Sequence, residues 1–216
     1  MMTFLFDFDG TLVDSMPTYI SAVLRVLDDK KIDYDRKNIV KIITPLGFGG
    51  TADYYRTVLG LDMPREEIIS QMHANAREGY LYSVPAKDGV IDTLKALAAR
   101  GDRLNVLTAS PHATLDPCLK RLGIYDLFDN VWSCEDFGTT KADPNIYVMA
   151  AQRLGADVPD VVFLDDNYNA DLTAKRAGMM VVGVYDESSA DYEGEIRSIT
   201  DAYVRDFCEL LDLKFN

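Results

Sequence analysis

Two periodicities divide the apolar residues of this chain. Thr3–Phe8 (TFLFDF) reads as a short buried strand running into a turn at Gly10. From Asp14 to about Ser83 apolar residues instead recur every three or four positions, in YISAVLRVLDDKK, RKNIVKII, TADYYRTVLG and PREEIISQMHANAREGYL. That spacing predicts helices throughout, the last of them opened by Pro64. Beyond Pro85 helix and strand patterns alternate. VIDTLKALAARG, TLDPCLKRLGI, NIYVMAAQRLG and ADLTAKRAGM are helical, while RLNVLTAS, NVWSC, DVVFLDD and MVVGVY are strand-like.

Such a succession predicts an α/β fold: a Rossmann-like, mostly parallel sheet covered by helices on both faces. The helical stretch separates the first strand from the rest and is too long for a loop. The expected organisation is therefore an α/β core domain from residues 1–14 and 85–216, with a small all-helical cap domain, 15–84, inserted after the first strand. In an open sheet of this kind ligands bind outside the carboxyl ends of the strands. Four polar clusters fall at those ends.

The first is Asp7-Phe8-Asp9-Gly10-Thr11. Carboxylates at i and i+2 lie on one side of an extended backbone, so both can face one site. Buried together they need a cation or a proton, and one can attack phosphorus while the other serves the leaving group. The second, Thr108-Ala109-Ser110, offers a hydroxyl and free N–H groups to an anion's oxygens, although Thr-x-Ser also caps ordinary helices. In the third, TTKADPNIY, Lys141 precedes a Pro-initiated helix and can bring an ammonium to the carboxylates. The fourth, Phe163-Leu164-Asp165-Asp166, followed by Asp171, concentrates oxygen ligands of the kind a hard ion such as magnesium prefers. Asp171 also fits an acidic first turn of a helix.

Taken in order, these clusters resemble the signatures of haloacid dehalogenase superfamily phosphatases, and the resemblance spans the whole chain. DFDGTLVDS resembles the first signature. It implies Asp7 as nucleophile and Asp9 as general acid/base, with the Asp9 backbone carbonyl on magnesium. The resemblance gives Thr108 a phosphate contact assisted by the Ala109 amide. KADPNIY resembles Lys-x-x-Pro-Asp-x-Phe, with Asn145 where an acid is usual. The implied catalytic residues are Asp7, Asp9, Thr108 and Lys141. The phosphate-binding set adds Gly10, Thr11, Ala109 and Ser110, and the metal set is Asp7, Asp9, Asp165 and Asp166. The second acid of the last motif is Asp165 or Asp171, with Asp165 preferred because Asp171 falls inside a helix.

The implied activity is a magnesium-dependent phosphatase that hydrolyses a small phosphomonoester through an aspartyl-phosphate. Phosphosugar mutases of the superfamily carry a histidine five residues after the acid matching Asp14, where this chain has Tyr19. A dehalogenase lacks an acid matching Asp9. A non-catalytic phospho-accepting receiver domain is shorter and has no helical insert. PLGFGG resembles the cap loop of phosphoglycolate phosphatases, but Lys87-Asp88 departs from their usual Pro-Gly approach to the second domain.

Charge narrows the partners. At a formal −13 the chain repels nucleic acids and anionic membranes, so the expected partner is a small phosphorylated metabolite, met by a monomer or weak homodimer. The same charge repels phosphate, so the site must be made locally positive. Cys118, Cys134 and Cys208 have no zinc or redox spacing, and the chain opens without a signal-peptide or anchor pattern, which suggests a reducing cytoplasm. His73 and His112 are isolated and read as a helix face and a loop.

Overall fold

Thr3–Phe6 (β1) lies in the middle of a six-stranded sheet, and its Phe4, Leu5 and Phe6 present apolar side chains to both faces. The computed structural model describes residues 1–214. Among them the chain divides into two compact units, one formed by Met1–Asp14 with the chain from Pro85 onward, the other by Ser15–Val84.

In the first unit β1 is joined by Arg103–Thr108 (β2), Asn130–Ser133 (β3), Val161–Asp165 (β4), Met180–Val184 (β5) and Ala202–Val204 (β6). The order is β3-β2-β1-β4-β5-β6 and every pairing is parallel. Chain order therefore reverses at β1, which pairs with β2 on one side and β4 on the other. The carboxyl ends of these three strands form the crevice that such a switch point leaves. Leu5 packs with Leu107, Ile146, Tyr147, Phe163 and Val181 in one apolar cluster. Phe6 meets Phe128 and Phe207, with ring centroids 6.3 and 6.0 Å away. The sheet is thus buried on both faces, as a parallel sheet requires.

The second unit holds Met16–Asp29 (α1), Arg36–Ile43 (α2), Gly47–Thr57 (α3) and Arg65–Tyr82 (α4). Pro17 sits in the first turn of α1, where its missing N–H costs nothing, and Asp35 opens α2 by accepting from the Lys37 and Asn38 amides. Helices α1 and α4 approach so closely that a Cβ on Gly79 would lie 2.2 Å from the Thr18 methyl. Their buried faces share one core with Ile39, Ile43, Ala52 and Tyr55.

PLGFGG forms neither a free loop nor a simple turn. A 3-10 turn at Thr44–Leu46 leads directly into α3, whose first turn contains Gly47, Gly49 and Gly50. Phe48 stacks on Tyr19 at 5.1 Å and meets the edge of His73 at 4.6 Å. Those contacts outweigh the low helix propensity of glycine.

Back in the first unit, the remaining helices are Val90–Ala99 (α5), His112–Arg121 (α6), Asn145–Leu154 (α7), Tyr168–Ala177 (α8) and Glu193–Ile199 (α9). Strand β6 and helix α9 add to what the sequence pattern predicts; both are short. No helix among the described residues is long and apolar enough to cross a membrane.

Candidate active site

Asp7 follows the last residue of β1, and its backbone N–H donates to the Leu164 carbonyl at 2.8 Å. The sheet's register therefore carries Asp7 beside the end of β4, where Asp165 and Asp166 stand. Carboxylate oxygens of Asp7, Asp165 and Asp166 all lie within 4.8 Å of one another, and the three residues are buried. Lys141 spans two of them. Its Nζ donates to Asp7 Oδ1 at 2.5 Å and to Asp165 Oδ2 at 2.6 Å. Behind the lysine, the Tyr147 hydroxyl shares its proton between the Lys141 and Ala170 carbonyls, 3.2 and 3.1 Å away. The Asn145 side chain reaches only as far as Asp143 Oδ1, at 2.9 Å, so the departure from an acid there is local.

Asp7, Lys141, Asp165 and Asp166 border a cavity of about 420 Å³, whose lining also includes Asp9, Thr108 and Ala109. Gly10, Thr11 and Ser110 stand behind that lining and support it. Ser110 Oγ donates to Asp9 Oδ2 at 2.5 Å, and the Ser110 amide donates to the Thr108 hydroxyl at 3.1 Å. Thr11 donates to Asp166 Oδ1 at 3.2 Å. Gly10 has a positive φ of 76°, and a Cβ there would lie 2.6 Å from the Asp166 carboxylate. Both backbone conformation and space therefore require glycine.

Sequence reasoning overlooked Thr140, Asn167 and Asn169, which also line the cavity. Asn167 carried a signal, since Asn before an apolar-periodic stretch is a common helix N-cap. Its side chain accepts from the Asn169 and Ala170 amides and fixes the start of α8 beside Asp165, whose Oδ1 accepts from the Asn167 amide at 2.8 Å. His112 is not isolated. It bridges Asp116 and Asp136, 2.8 Å from each, and both acids raise its pKa through these hydrogen bonds. The i, i+4 spacing of His112 and Asp116 was the legible half of that clasp.

Charge in the crevice is unbalanced. Burial chiefly, and then Asp165 and Asp9, raise the Asp7 pKa to about 7 despite the lysine. Asp166 is raised well above the carboxylate range by burial, Asp165 and Asp7. Burial opposes the charge on Lys141, but Asp165 and Asp7 outweigh it and hold the ammonium protonated. One lysine cannot neutralise three acids. An all-oxygen donor set with surplus negative charge fits a hard divalent cation such as magnesium.

Asp171 is separate from this trio. It lies in the first turn of α8, fully buried, and neither carboxylate oxygen has a hydrogen-bond partner among the described residues. Burial first, then Asp165 and Asp166, raise its pKa well above the usual value. An acid raised in the folded state contributes stability that is full below its unfolded pKa and is lost as pH rises towards the folded one. Asp171→Leu should therefore stabilise the metal-free protein by about 1–3 kcal/mol in urea denaturation at neutral pH. The advantage should shrink below the ordinary carboxylate range. A variant less stable than wild type at neutral pH would contradict this reading.

Comparison with known proteins identifies the family. Residues 1–178 match the family model of haloacid dehalogenase-like hydrolases. Pyrophosphatase PpaX of Bacillus velezensis is 31% identical over 182 residues, covering 83% of this chain and 81% of the relative. Hexitol phosphatase B of Escherichia coli is 28% identical over 181 residues, covering 83% and 82%. A solved Thermotoga maritima protein, assigned only provisionally as a β-phosphoglucomutase, superposes with a TM-score of 0.85 over 98% of this chain and 97% of its own. At 23% identity that likeness shows the fold alone. On the family match and the identity to PpaX, this chain belongs to the haloacid dehalogenase-like hydrolases.

Proposed function

We propose that this chain is a magnesium-dependent phosphatase that hydrolyses a small phosphomonoester, with Asp7 transiently phosphorylated. The observation that carries the reading is the pinning of Asp7. Its carboxylate is held by Lys141 in the lining of a cavity, within reach of Asp165 and Asp166, in a surplus of negative charge. A phosphate dianion would be repelled from such a crevice unless a divalent cation were present. Magnesium, bound by Asp7, Asp165, Asp166 and the Asp9 backbone carbonyl, would supply that charge neutralisation and polarise the phosphoryl group.

Asp7 Oδ attacks phosphorus in line, and the P–O bond to the leaving group breaks. Asp9, oriented by Ser110, gives its proton to the departing alkoxide. Thr108 and the Ala109 amide hold non-bridging oxygens, and Lys141 offsets their charge. Asp9 then takes a proton from water, which attacks phosphorus of the aspartyl-phosphate and returns Asp7 with orthophosphate. The compact helical unit Ser15–Val84 is the segment that the resemblance makes a cap, and a cap of that kind favours small substrates over phosphoproteins. Tyr19 stacks on Phe48 at the position where the resemblance would give a mutase its histidine, which favours hydrolysis.

The relatives' names include a pyrophosphatase and a hexitol phosphatase, so small phosphorylated metabolites are the class to screen. The three free thiols and the absence of a helix suited to cross a membrane among the described residues accord with a cytoplasmic enzyme. Orthophosphate release from a panel of phosphomonoesters, measured with magnesium and with EDTA, tests the reading. Magnesium should support turnover and EDTA abolish it. Full activity in metal-stripped buffer would contradict it.

A further inference from the structure

Lys87, where the sequence departs from the family pattern, stands behind the Asp166 side of the acidic cluster and outside the cavity lining. Its backbone N–H donates to the Leu12 carbonyl at 3.1 Å. Its largely buried ammonium donates to the Gly10 and Tyr185 carbonyls, each at 2.5 Å, and to Asp186 Oδ2 at 2.9 Å. An ammonium has three protons, so three acceptors engage all of them. Asp186 is itself fixed, accepting from the Ser188 amide at 3.0 Å and from its hydroxyl at 2.6 Å. Lys87 thus ties the turn after Asp9 to the end of β5.

That turn is the seat of Asp166. Gly10 lies close enough that a Cβ would meet the carboxyl carbon and both oxygens at 2.6 Å, and Thr11 donates to Oδ1. Any shift of the Gly10 carbonyl moves the surface against which Asp166 rests.

We infer that Lys87 is a positioning residue for the divalent cation: by holding the Gly10 turn it fixes the Asp166 carboxylate opposite Asp7 and Asp165. This rests on the metal-dependent reading above. Position and charge have opposite consequences here. An ammonium beside Asp166 also repels a second cation, so if charge alone mattered, removing it would tighten metal binding. If position dominates, removing it weakens binding.

Calorimetric titration of magnesium into the metal-stripped full chain separates the two. Lys87→Met should bind magnesium about tenfold to hundredfold more weakly than wild type, the range typical of lost supporting contacts around a metal site. Asp186→Asn, which removes the ion pair and keeps the Gly10 contact, should fall between them. Raising magnesium should recover turnover in Lys87→Met, which general damage to the fold would not allow. Binding by Lys87→Met as tight as wild type, or tighter, would overturn the inference. Should Lys87→Met fail to fold, Asp186→Asn decides, and wild-type affinity there would overturn it. Asp166→Ala is the reference. If it binds magnesium as wild type does, or wild type binds none, the metal reading falls and the inference with it.

Discussion

Asp7→Asn should abolish orthophosphate release, by at least about a thousandfold, while leaving the melting temperature of the metal-free protein unchanged or higher. The amide is nearly isosteric, and the backbone bond from residue 7 to Leu164 does not depend on the side chain. Lys141 keeps Asp165 as a partner. What disappears is one negative charge from a crowded, buried set, and with it the carboxylate proposed to attack phosphorus. An inactive, well-folded variant separates the nucleophile from a packing residue. Substantial turnover by a verified variant would remove Asp7 from the reaction.

Lys141→Met should have the second largest effect, and it should act on two quantities together. The lysine is buried and binds Asp7 and Asp165 at once. Its loss leaves two acids without their cation, a change that costs about 3–5 kcal/mol when a buried pair is broken, less whatever the acids recover by binding protons. Asp7 is already raised to about 7 with the lysine lowering it, so the variant's Asp7 should titrate higher still. Turnover should fall about a hundredfold to a thousandfold at neutral pH and recover in part as pH rises and Asp7 ionises. Magnesium should restore much of the stability and little of the turnover. A variant with normal stability and an unshifted pH profile would show that Lys141 is not the counter-charge of Asp7.

The sheet and its strand ends were legible because a short, largely apolar run closed by polar residues suits a buried parallel strand and few other elements. RLNVLTAS and DVVFLDD became β2 and β4, with Thr108 and Asp165 at their ends. Asp165 joined Asp7 and Asp166, while Asp171 remained apart, a distinction that spacing alone left open. The all-parallel order was not in any single segment, since register depends on contacts between distant stretches. Strand β6, three residues long, has too little pattern to detect. GFGG resembled a loop because glycine's local preference is weak for helix, and only the packing of Phe48 against Tyr19 and His73 reverses it. Lys87 was visible as an odd residue, but its role required knowing that Gly10, Tyr185 and Asp186 meet around it. Contacts across such separations leave no periodic trace.

The most direct test of the central claim is to trap the phosphorylated enzyme. Acid quenching during turnover, followed by borohydride reduction and peptide mass spectrometry, converts a phosphorylated aspartate into homoserine at the residue that carried the phosphoryl group. The account predicts homoserine at position 7, formed only when substrate and magnesium are both present. Homoserine at Asp9, Asp165 or Asp166 instead, or phosphate release with no trapped residue under conditions that trap a known aspartyl-phosphate enzyme, would contradict it.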